Sequence, residues 1–193
     1  MSEESHALAA RAIAGLPRAR RVLVAVDGVD GAGKTTFADH LAGRLDRPVV
    51  RAPEDDFLNS AAIRHARGRE SPEGFFLDSY DLGALAARLL DPFAAGGPFR
   101  RRVYDVLSDA PVAGVDEQAP EDALLLLDGL FLHRDELRDR WDLSILLDVP
   151  PDVAAARLLE REGKPNRPRY IVGLQLYFAA CDPRSRASLV LPW

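Results

Sequence analysis

The sequence has little of what a disulfide-bonded, metal-binding or membrane-spanning protein needs. It contains a single cysteine, Cys181, so no disulfide can form within the chain, and no Cys and His spacing typical of a metal site occurs. No apolar run approaches the length of a transmembrane helix. The N-terminal segment carries Glu3 and Glu4 where a signal peptide has basic residues. We therefore expect a cytoplasmic protein with no membrane partner.

A net positive charge is also absent. The net charge is −5 and no long basic run occurs, which argues against nucleic acid as a partner because such binding needs clustered positive charge. Of the 25 lysines and arginines, two are lysines, Lys34 and Lys164, which leaves 23 arginines. A compact ammonium fits between phosphate oxygens under a tight backbone loop better than a planar guanidinium does. The lysine at position 34 therefore supports the loop motif described below.

What is present is an ordinary globular composition. Hydrophobic residues make up 47% of the 193 residues and charged residues 28%. This length is sufficient for one α/β domain with its own core and too short for two domains of usual size. We therefore expect residues 1–193 to form a single domain, and we leave open whether that domain forms a homo-oligomer.

Short apolar runs alternate with segments of helical periodicity. Strands are predicted at residues 21–27, 48–52, 123–128, 141–149 and 189–191, and helices at residues 1–16, 34–45, 80–90, 151–161 and 170–180. The polar segment 59–74 is predicted to be a mobile surface segment with one helix near residues 61–67. Residues 100–106 are predicted to form an exposed strand or hairpin arm. The alternation predicts a three-layer α/β fold, in which helices cover both faces of a mostly parallel central sheet.

Residues 28–35 form a glycine-rich loop between a predicted strand and a predicted helix. They read Gly-Val-Asp-Gly-Ala-Gly-Lys-Thr and satisfy G-x-x-x-x-G-K-[ST] at every fixed position, which indicates a P-loop NTPase fold. Backbone N–H groups of such a loop bind phosphate together with the helix N-terminus. Lys34 is expected to reach the β- and γ-phosphates of ATP or another nucleoside triphosphate, Thr35 to bind Mg²⁺ and Thr36 to touch the α-phosphate. The residues expected at the nucleotide are Gly28, Asp30, Gly31, Ala32, Gly33, Lys34, Thr35 and Thr36.

Two acids end predicted strands at the edge of the sheet where the loop lies. Phosphate transfer to a hydroxyl needs one carboxylate near the acceptor and a second that holds Mg²⁺. Asp55 and Asp128 are the candidates, because open α/β sheets bind ligands at the carboxyl ends of their strands. The alternative is that these acids cap helices or lie in solvated turns. His133, which follows Asp128, is expected to lie at the surface or at a helix start.

Beyond the loop, several motifs resemble those of the uridine kinase-like branch of P-loop nucleoside kinases, in the same order along most of the chain. Residues 55–57 (Asp-Asp-Phe) are similar to its Asp-x-Phe motif, residues 103–105 (Val-Tyr-Asp) to its Tyr-Asp arm, and residues 128–129 (Asp-Gly) to an acid-glycine pair that usually begins with Glu. The resemblance implies that Asp55 is the base on the ribose 5′-hydroxyl, that Tyr104 lines the nucleoside pocket and that Asp128 assists Mg²⁺.

The same resemblance implies a small lid at about residues 157–169. Arg157, Arg161 and Glu162 fall on the family's Arg-x-x-x-Arg-Asp signature, with Glu in place of Asp. Fixed cations suit the charge of a transferring phosphoryl group once water is excluded. The resemblance places Arg157 and Arg161 at the nucleotide, with Arg161 catalytic beside Lys34 and Asp55. It places Arg167, Arg169 and the lid-helix residue Gln175 at the substrate.

The sequence departs from the family pattern around the acceptor. The family usually has a base-reading histidine shortly after the pocket tyrosine, whereas this chain has Asp109. The acid expected to hold the ribose hydroxyls is Asp78 or Asp81, of which Asp78 is preferred. The sequence ends at Trp193, before the segment with which relatives usually complete the adenine site. We therefore expect either a loosely held base or a shortened chain.

The resemblance implies ATP- and Mg²⁺-dependent transfer of a phosphate to the primary hydroxyl of a nucleoside. Two alternatives stay open. One keeps the enzyme class and changes the small-molecule acceptor to pantothenate, a sugar or nicotinamide riboside. The other is a regulatory module that binds a nucleotide without transferring phosphate.

Overall fold

A five-stranded parallel sheet organises the chain in the computed structural model, which describes residues 3–163 and 165–193. The strands in chain order are β1 (Val22–Gly28), β2 (Val49–Pro53), β3 (Tyr104–Asp105), β4 (Ala110–Pro111), β5 (Leu124–Gly129), β6 (Leu143–Asp148) and β7 (Leu189–Pro192). The central sheet has the strand order β2-β5-β1-β6-β7, and each neighbouring pair is parallel. Strands β3 and β4 form a separate antiparallel hairpin.

Helices cover both faces of this sheet. They are α1 (Glu3–Ala14), α2 (Lys34–Ala42), α3 (Ala61–Arg64), α4 (Pro72–Asp78), α5 (Leu82–Leu85), α6 (Asp91–Ala94), α7 (Pro151–Glu162), α8 (Pro168–Cys181) and α9 (Pro183–Arg186). A π-helical turn, Ala86–Leu90, joins α5 to α6. Pro92 in α6 has no N–H to donate to the carbonyl of Arg88, and that carbonyl accepts from the N–H of Arg100 instead.

The core explains why the central strands are apolar throughout. Alternate residues of β1 face opposite sides, so that Val22, Val24 and Val26 pack against α1 and α2. Leu23 and Ala25 pack on the other side, against the stretch from α5 to α6. Because both faces are covered, β1 and β5 are buried at every position.

A third apolar cluster joins α4 to α8. Phe75 and Phe76 of α4 pack with Phe131, which follows β5, and with Tyr177 and Cys181 of α8. The register of the sheet pairs Val26 of β1 and Pro53 of β2 with Asp128 of β5. The carboxyl ends of β1, β2 and β5 therefore lie at one edge of the sheet, and this edge carries the functional residues discussed below.

The structure confirms the predicted three-layer α/β fold and all five predicted strands of the sheet. The polar segment 59–74 is exposed or half-buried up to Glu73 and contains the helix predicted near residues 61–67. It holds α3 and the start of α4, because Ser71 caps α4 by accepting from the N–H of Gly74 at 3.0 Å, and Pro72 has the helical φ that the first turn needs. In residues 3–163 and 165–193, no helix has the length and apolar character to cross a bilayer.

Candidate active site

The glycine-rich loop leaves β1 and enters α2 as the pattern predicts. Gly31 has a φ of 80° and approaches α7 so closely that a Cβ there would lie 2.4 Å from the carbonyl oxygen of Ala154. Lys34 begins α2, and its Nζ donates to the carbonyl oxygens of Gly28 at 2.9 Å and Val29 at 3.0 Å. The ammonium therefore lies inside the curve of the loop, where phosphate oxygens would compete for the same donors.

Burial lowers the pKa of the Lys34 ammonium, and the carboxylates of Asp27, Asp30, Asp55 and Asp128 oppose this effect. Four acidic side chains thus surround one buried lysine. A protonated lysine at the centre of the loop is what binding of a polyanionic phosphate chain requires.

A cavity of about 200 Å³ opens over the loop, and we call it the loop cavity. The loop residues that line it are Asp30, Gly31, Gly33, Lys34, Thr35 and Thr36. The remaining walls include Asp55, Tyr80, Asp128 and Arg161. The structure thus brings the predicted loop, both predicted acids and one predicted lid arginine to one place. Gly28 and Ala32 belong to the loop without lining the cavity.

Thr35 and Asp128 form the pair of oxygens that would hold Mg²⁺. The Thr35 hydroxyl donates to Asp128 Oδ2 at 2.7 Å, and Asp128 Oδ1 accepts from Arg51 at 2.8 Å. Hydroxyl and carboxylate oxygens suit Mg²⁺, which also takes phosphate oxygens and water as ligands. No cluster of three or more His, Cys, Asp or Glu residues suited to a metal occurs in the described part of the chain.

Asp55 lies in a 3₁₀ turn, Glu54–Phe57, directly after β2. Its Oδ1 accepts a hydrogen bond from the Tyr80 hydroxyl at 3.0 Å. Burial, followed by the charges of Asp55 and Glu54, raises the pKa of Tyr80 well above its ordinary value. Tyr80 therefore keeps its proton and orients the Asp55 carboxylate.

A second cavity of about 280 Å³ adjoins the first, and we call it the side cavity. The two cavities share a wall made of Asp30, Asp55, Tyr80, Leu130 and Arg161. The residues that line the side cavity alone are Leu58, Arg64, His65, Phe75, Ser79, Arg169 and Tyr170. The shared wall places the Asp55 carboxylate between the phosphate loop and a space large enough for a small molecule.

The arginines of the predicted lid lie in three different settings. Arg157 donates to the carbonyl oxygen of Ala32 at 3.3 Å, and Arg161 Nη2 lies 3.5 Å from Asp30, so both contact the loop. Arg169 is buried and lines the side cavity. Arg167 forms an exposed ion pair with Glu70 and lines neither cavity. Residue 164, inside the predicted lid, lies outside the described residues.

Besides Arg167, three residues predicted at the substrate line neither the loop cavity nor the side cavity. Tyr104 lines neither cavity, because it is buried in the β3–β4 hairpin and its hydroxyl donates to Asp109. Asp78 accepts from Arg67 at 2.7 Å, although the following residue, Ser79, does line the side cavity. Gln175 lines a third cavity of about 320 Å³ between α7 and α8. Asp81, the alternative to Asp78, caps α5.

The structure corrects the interpretation of His133 as a surface or helix-start residue. His133 is 1% exposed, and its Nδ1 donates to Asp27 Oδ2 at 2.7 Å. The hydroxyl of Tyr177 in α8 donates to the same oxygen, and Asp27 Oδ1 accepts from the N–H of Gly28 at 2.7 Å. Asp27 therefore links the first glycine of the loop to the segment that follows β5 and to α8. These segments are distant in the chain, so no local sequence pattern shows the link.

Glu54 is a second buried acid that sequence reasoning missed. Its Oε2 accepts from the N–H of Leu130 at 2.9 Å, and its Oε1 has no hydrogen-bond partner among the described residues. A Cβ on Gly129 would lie 2.4 Å from Glu54 Oε2, so the glycine after Asp128 makes room for this carboxyl group. Burial, followed by the charges of Asp55 and Asp27, raises the pKa of Glu54 well above its ordinary value.

A raised folded-state pKa predicts a specific pH dependence of stability. The contribution of Glu54 is fully present below its unfolded pKa and is lost as the pH rises through its folded pKa. Glu54→Gln keeps the acceptor for Leu130 and cannot titrate. We expect the free energy of unfolding, measured in urea at several pH values, to fall with rising pH more steeply in the wild type, by up to about 1.4 kcal/mol per pH unit.

The exposed Glu121→Gln variant is the control, since it removes an equal charge from the surface and should leave the wild-type slope unchanged. Parallel curves for the wild type and Glu54→Gln would show that Glu54 titrates normally in the folded state.

These features together define a P-loop kinase of small molecules: a parallel sheet, a glycine-rich loop that encloses a lysine, and carboxylates at the ends of the neighbouring strands. The family model described as Phosphoribulokinase / Uridine kinase family matches residues 23–175. The chain belongs to this family, which uses ATP and Mg²⁺ and acts on small-molecule acceptors.

Individual relatives differ in what their names say they act on. The chain is 23% identical over 146 residues to a uridine kinase from Lactobacillus helveticus (strain DPC 4571), which covers 74% of this chain and 68% of the relative. It is 31% identical over 162 residues to a thymidylate kinase from Xylella fastidiosa (strain 9a5c), which covers 75% of this chain and 69% of the relative. In other relatives the match covers as little as 64% of their length.

Solved structures show the same fold. A protein described as a possible uridine kinase from Bacillus stearothermophilus superposes with a TM-score of 0.79 at 22% identity, covering 97% of each chain. A proposed fructose transport system kinase from Silicibacter sp. TM1040 superposes with a TM-score of 0.72 at 25% identity, covering 100% of each chain. The fold is thus shared by proteins with different names.

Proposed function

We propose that this chain transfers the γ-phosphate of ATP to a hydroxyl group of a small molecule bound in the side cavity. The primary hydroxyl of a nucleoside is the acceptor that the resemblance implies. The observation that carries the proposal is the shared wall of the two cavities, in which Asp55 faces both the phosphate loop and the space beside it. A carboxylate between donor and acceptor is what transfer to an alcohol requires.

Each residue of the wall has a role that follows from its contacts. The acceptor oxygen would attack the γ-phosphorus as the bond to the bridging oxygen of ADP breaks, and the hydroxyl proton would pass to Asp55. Tyr80 holds the Asp55 carboxylate in place through its hydrogen bond. Lys34 and Arg161 would stabilise the charge on the transferring group, since both are cations at the loop cavity.

The metal ion would be held by Thr35 and Asp128. When bound, Mg²⁺ neutralises charge on the phosphate oxygens and fixes the position of the phosphate chain. Arg51 binds the second oxygen of Asp128, which leaves the oxygen beside Thr35 directed to the loop side. Arg157, beside Ala32, would contact the nucleotide from the other side of the loop.

One observation supports the alternative that the acceptor is not a nucleoside. Tyr104, which the resemblance implies in the nucleoside pocket, lines neither cavity and binds Asp109. Because Tyr104 is engaged in this way, the acceptor can be another small alcohol, such as pantothenate, a sugar or nicotinamide riboside. The same fold and the same catalytic wall would serve all of them.

The experiment that tests the proposal is ADP release with ATP and Mg²⁺ against a panel of nucleosides and small alcohols. We expect at least one acceptor to raise ADP release well above the rate without acceptor, and its phosphorylated product to accumulate in equal amount. ATP binding with no product from any acceptor would instead support a nucleotide-binding regulatory module.

A further inference from the structure

The part of the side cavity that lies beyond the shared wall is basic. Both carboxylates that line the side cavity, Asp30 and Asp55, belong to the wall shared with the loop cavity. Beyond this wall the lining carries Arg64, His65 and Arg169 and no acidic residue. The side cavity thus has both of its acids, together with Arg161, beside the phosphate loop, and three basic residues in the remaining part.

Arg169 is the most deeply placed of these cations. It is 4% exposed, and its Nε is buried without a hydrogen-bond partner. Its Nη1 donates to the carbonyl oxygen of Arg69 and lies 3.3 Å from His65 Nδ1. Within residues 3–163 and 165–193, no carboxylate lies within ion-pair distance of Arg169. A buried guanidinium with no counter-charge is costly, and an anionic ligand would offset that cost.

Two aromatic rings hold the Arg169 side chain in place. Its guanidinium lies 5.8 Å from the ring centre of Phe75 and 5.3 Å from that of Tyr170, and both rings also line the side cavity. Cation–π contacts of this kind fix the plane of a guanidinium without neutralising its charge. The planar group is therefore held in one orientation, and a fixed fork of N–H donors matches the oxygens of a carboxylate or phosphate.

Arg64 and His65 extend the basic lining. Arg64 Nε donates to the carbonyl oxygen of Asn59 at 2.8 Å, while its Nη2 lies 3.7 Å from Asp109, a weak ion pair. The hydroxyl of Tyr104 donates to the same Asp109 oxygen, so this carboxylate is shared between two partners. Burial, followed by the charges of Arg169 and Arg64, lowers the pKa of His65.

The geometry points to an acceptor that carries an anionic group, a carboxylate or a phosphate ester, in addition to the hydroxyl that is phosphorylated. Arg169 and Arg64 bind the anionic group, and the hydroxyl faces Asp55 at the shared wall. The inference rests on the proposed function and narrows its substrate class. Among the acceptors left open above, it favours acidic alcohols over uncharged nucleosides and sugars.

The test uses pairs of acceptors in which one member carries an anionic group and both members keep a free primary hydroxyl. Suitable pairs are glycerol and glycerate, and fructose and fructose 6-phosphate. ADP release is measured with the full chain, with Arg169→Gln and with Arg64→Gln, and acceptor binding is measured by calorimetry in the presence of a non-hydrolysable ATP analogue. Arg138→Gln is the control, because Arg138 pairs with Asp135 and Asp139 at the surface, away from both cavities.

We expect an anionic member of a pair to be used with a kcat/KM about tenfold or more above that of its neutral partner. Arg169→Gln should lower kcat/KM for this acceptor by about 10- to 100-fold, mainly through KM, and leave the use of neutral acceptors nearly unchanged. Arg138→Gln should behave as the wild type. The carboxylate and phosphate pairs distinguish which of the two anionic groups the site takes.

The outcomes separate this inference from the proposed function. The anion site would be overturned, and the kinase kept, if neutral acceptors were turned over as well as anionic ones. In that case Arg169→Gln and the control Arg138→Gln would have equal effects on every acceptor. Binding of anionic molecules that Arg169→Gln weakens, without any ADP release, would overturn the kinase and keep the anion site. Thermal unfolding shows whether Arg169→Gln folds, and Arg64→Gln, at a less buried position, supplies the same test if it does not.

Discussion

Asp55→Asn is expected to abolish phosphate transfer while leaving ATP binding nearly intact. The amide keeps the size of the carboxylate and cannot take the proton of the acceptor hydroxyl, and loss of a general base lowers kcat by about 10²- to 10⁴-fold. Asp55 lies on the wall that the two cavities share, outside the phosphate loop itself. The measurements are ADP release with the acceptor that the panel identifies and calorimetric binding of a non-hydrolysable ATP analogue.

Asp56→Asn is the matched control for this prediction. Asp56 is the next residue in the same 3₁₀ turn, but its carboxylate lies 3.3 Å from Arg102 and lines neither the loop cavity nor the side cavity. The Asp56→Asn substitution removes the same charge at the neighbouring position of the chain. Turnover by Asp55→Asn at the rate of Asp56→Asn would exclude Asp55 as the base.

Gly31→Ala is expected to disrupt the phosphate loop. A Cβ at this position would lie 2.4 Å from the carbonyl oxygen of Ala154, which belongs to the backbone of α7 and cannot rotate away. Relief of this contact requires the loop to open or α7 to move, and α7 carries Arg157 and Arg161, which contact the loop. We expect ATP affinity to fall by about 100-fold or more, a loss of about 2.7 kcal/mol, in the same calorimetric titration.

Gly96→Ala separates backbone strain from this collision. Gly96 has a φ of 79°, almost the same as the 80° of Gly31, but no atom lies within 4 Å of a Cβ built there. Gly96→Ala should lower the free energy of unfolding by about 1–2 kcal/mol, because alanine is strained in the left-handed backbone conformation, and should leave ATP affinity unchanged. If both variants lose the same stability and keep the same ATP affinity, the approach of the loop to α7 has no part in nucleotide binding.

Much of the fold was accessible from local sequence patterns. Strand β1, the loop and α2 follow from an apolar run, a fixed spacing of glycines and a helical periodicity, each contained within a few residues of chain. The positions of Asp55 and Asp128 followed from one general rule, that ligands bind at the carboxyl ends of parallel strands, and the register of β2 and β5 places them so. The lid arginines were placed by resemblance, and two of them contact the loop.

The acceptor region shows where local patterns fail. Tyr104 matches a pocket motif in sequence, yet its hydroxyl binds Asp109 and it lines neither cavity. The resemblance placed Arg169 at the substrate without showing its neighbours, and the structure places it in the lining of the side cavity, beside Phe75 and Tyr170. Which neighbours a charged side chain meets depends on how α3, α4 and α8 pack, and the sequence of any one of them does not contain that information.

The sequence by itself determined the fold class, the phosphate loop and the two acids at the sheet edge, because apolar periodicity and the spacing of loop residues are local properties of the chain. Only the tertiary structure decided which charges are paired and which are left without a partner. Asp27 meets His133 and Tyr177 across more than 100 residues of chain, and Arg169 meets no carboxylate in the described residues. Such contacts arise from the packing of distant segments, and that packing sets the charge of the side cavity.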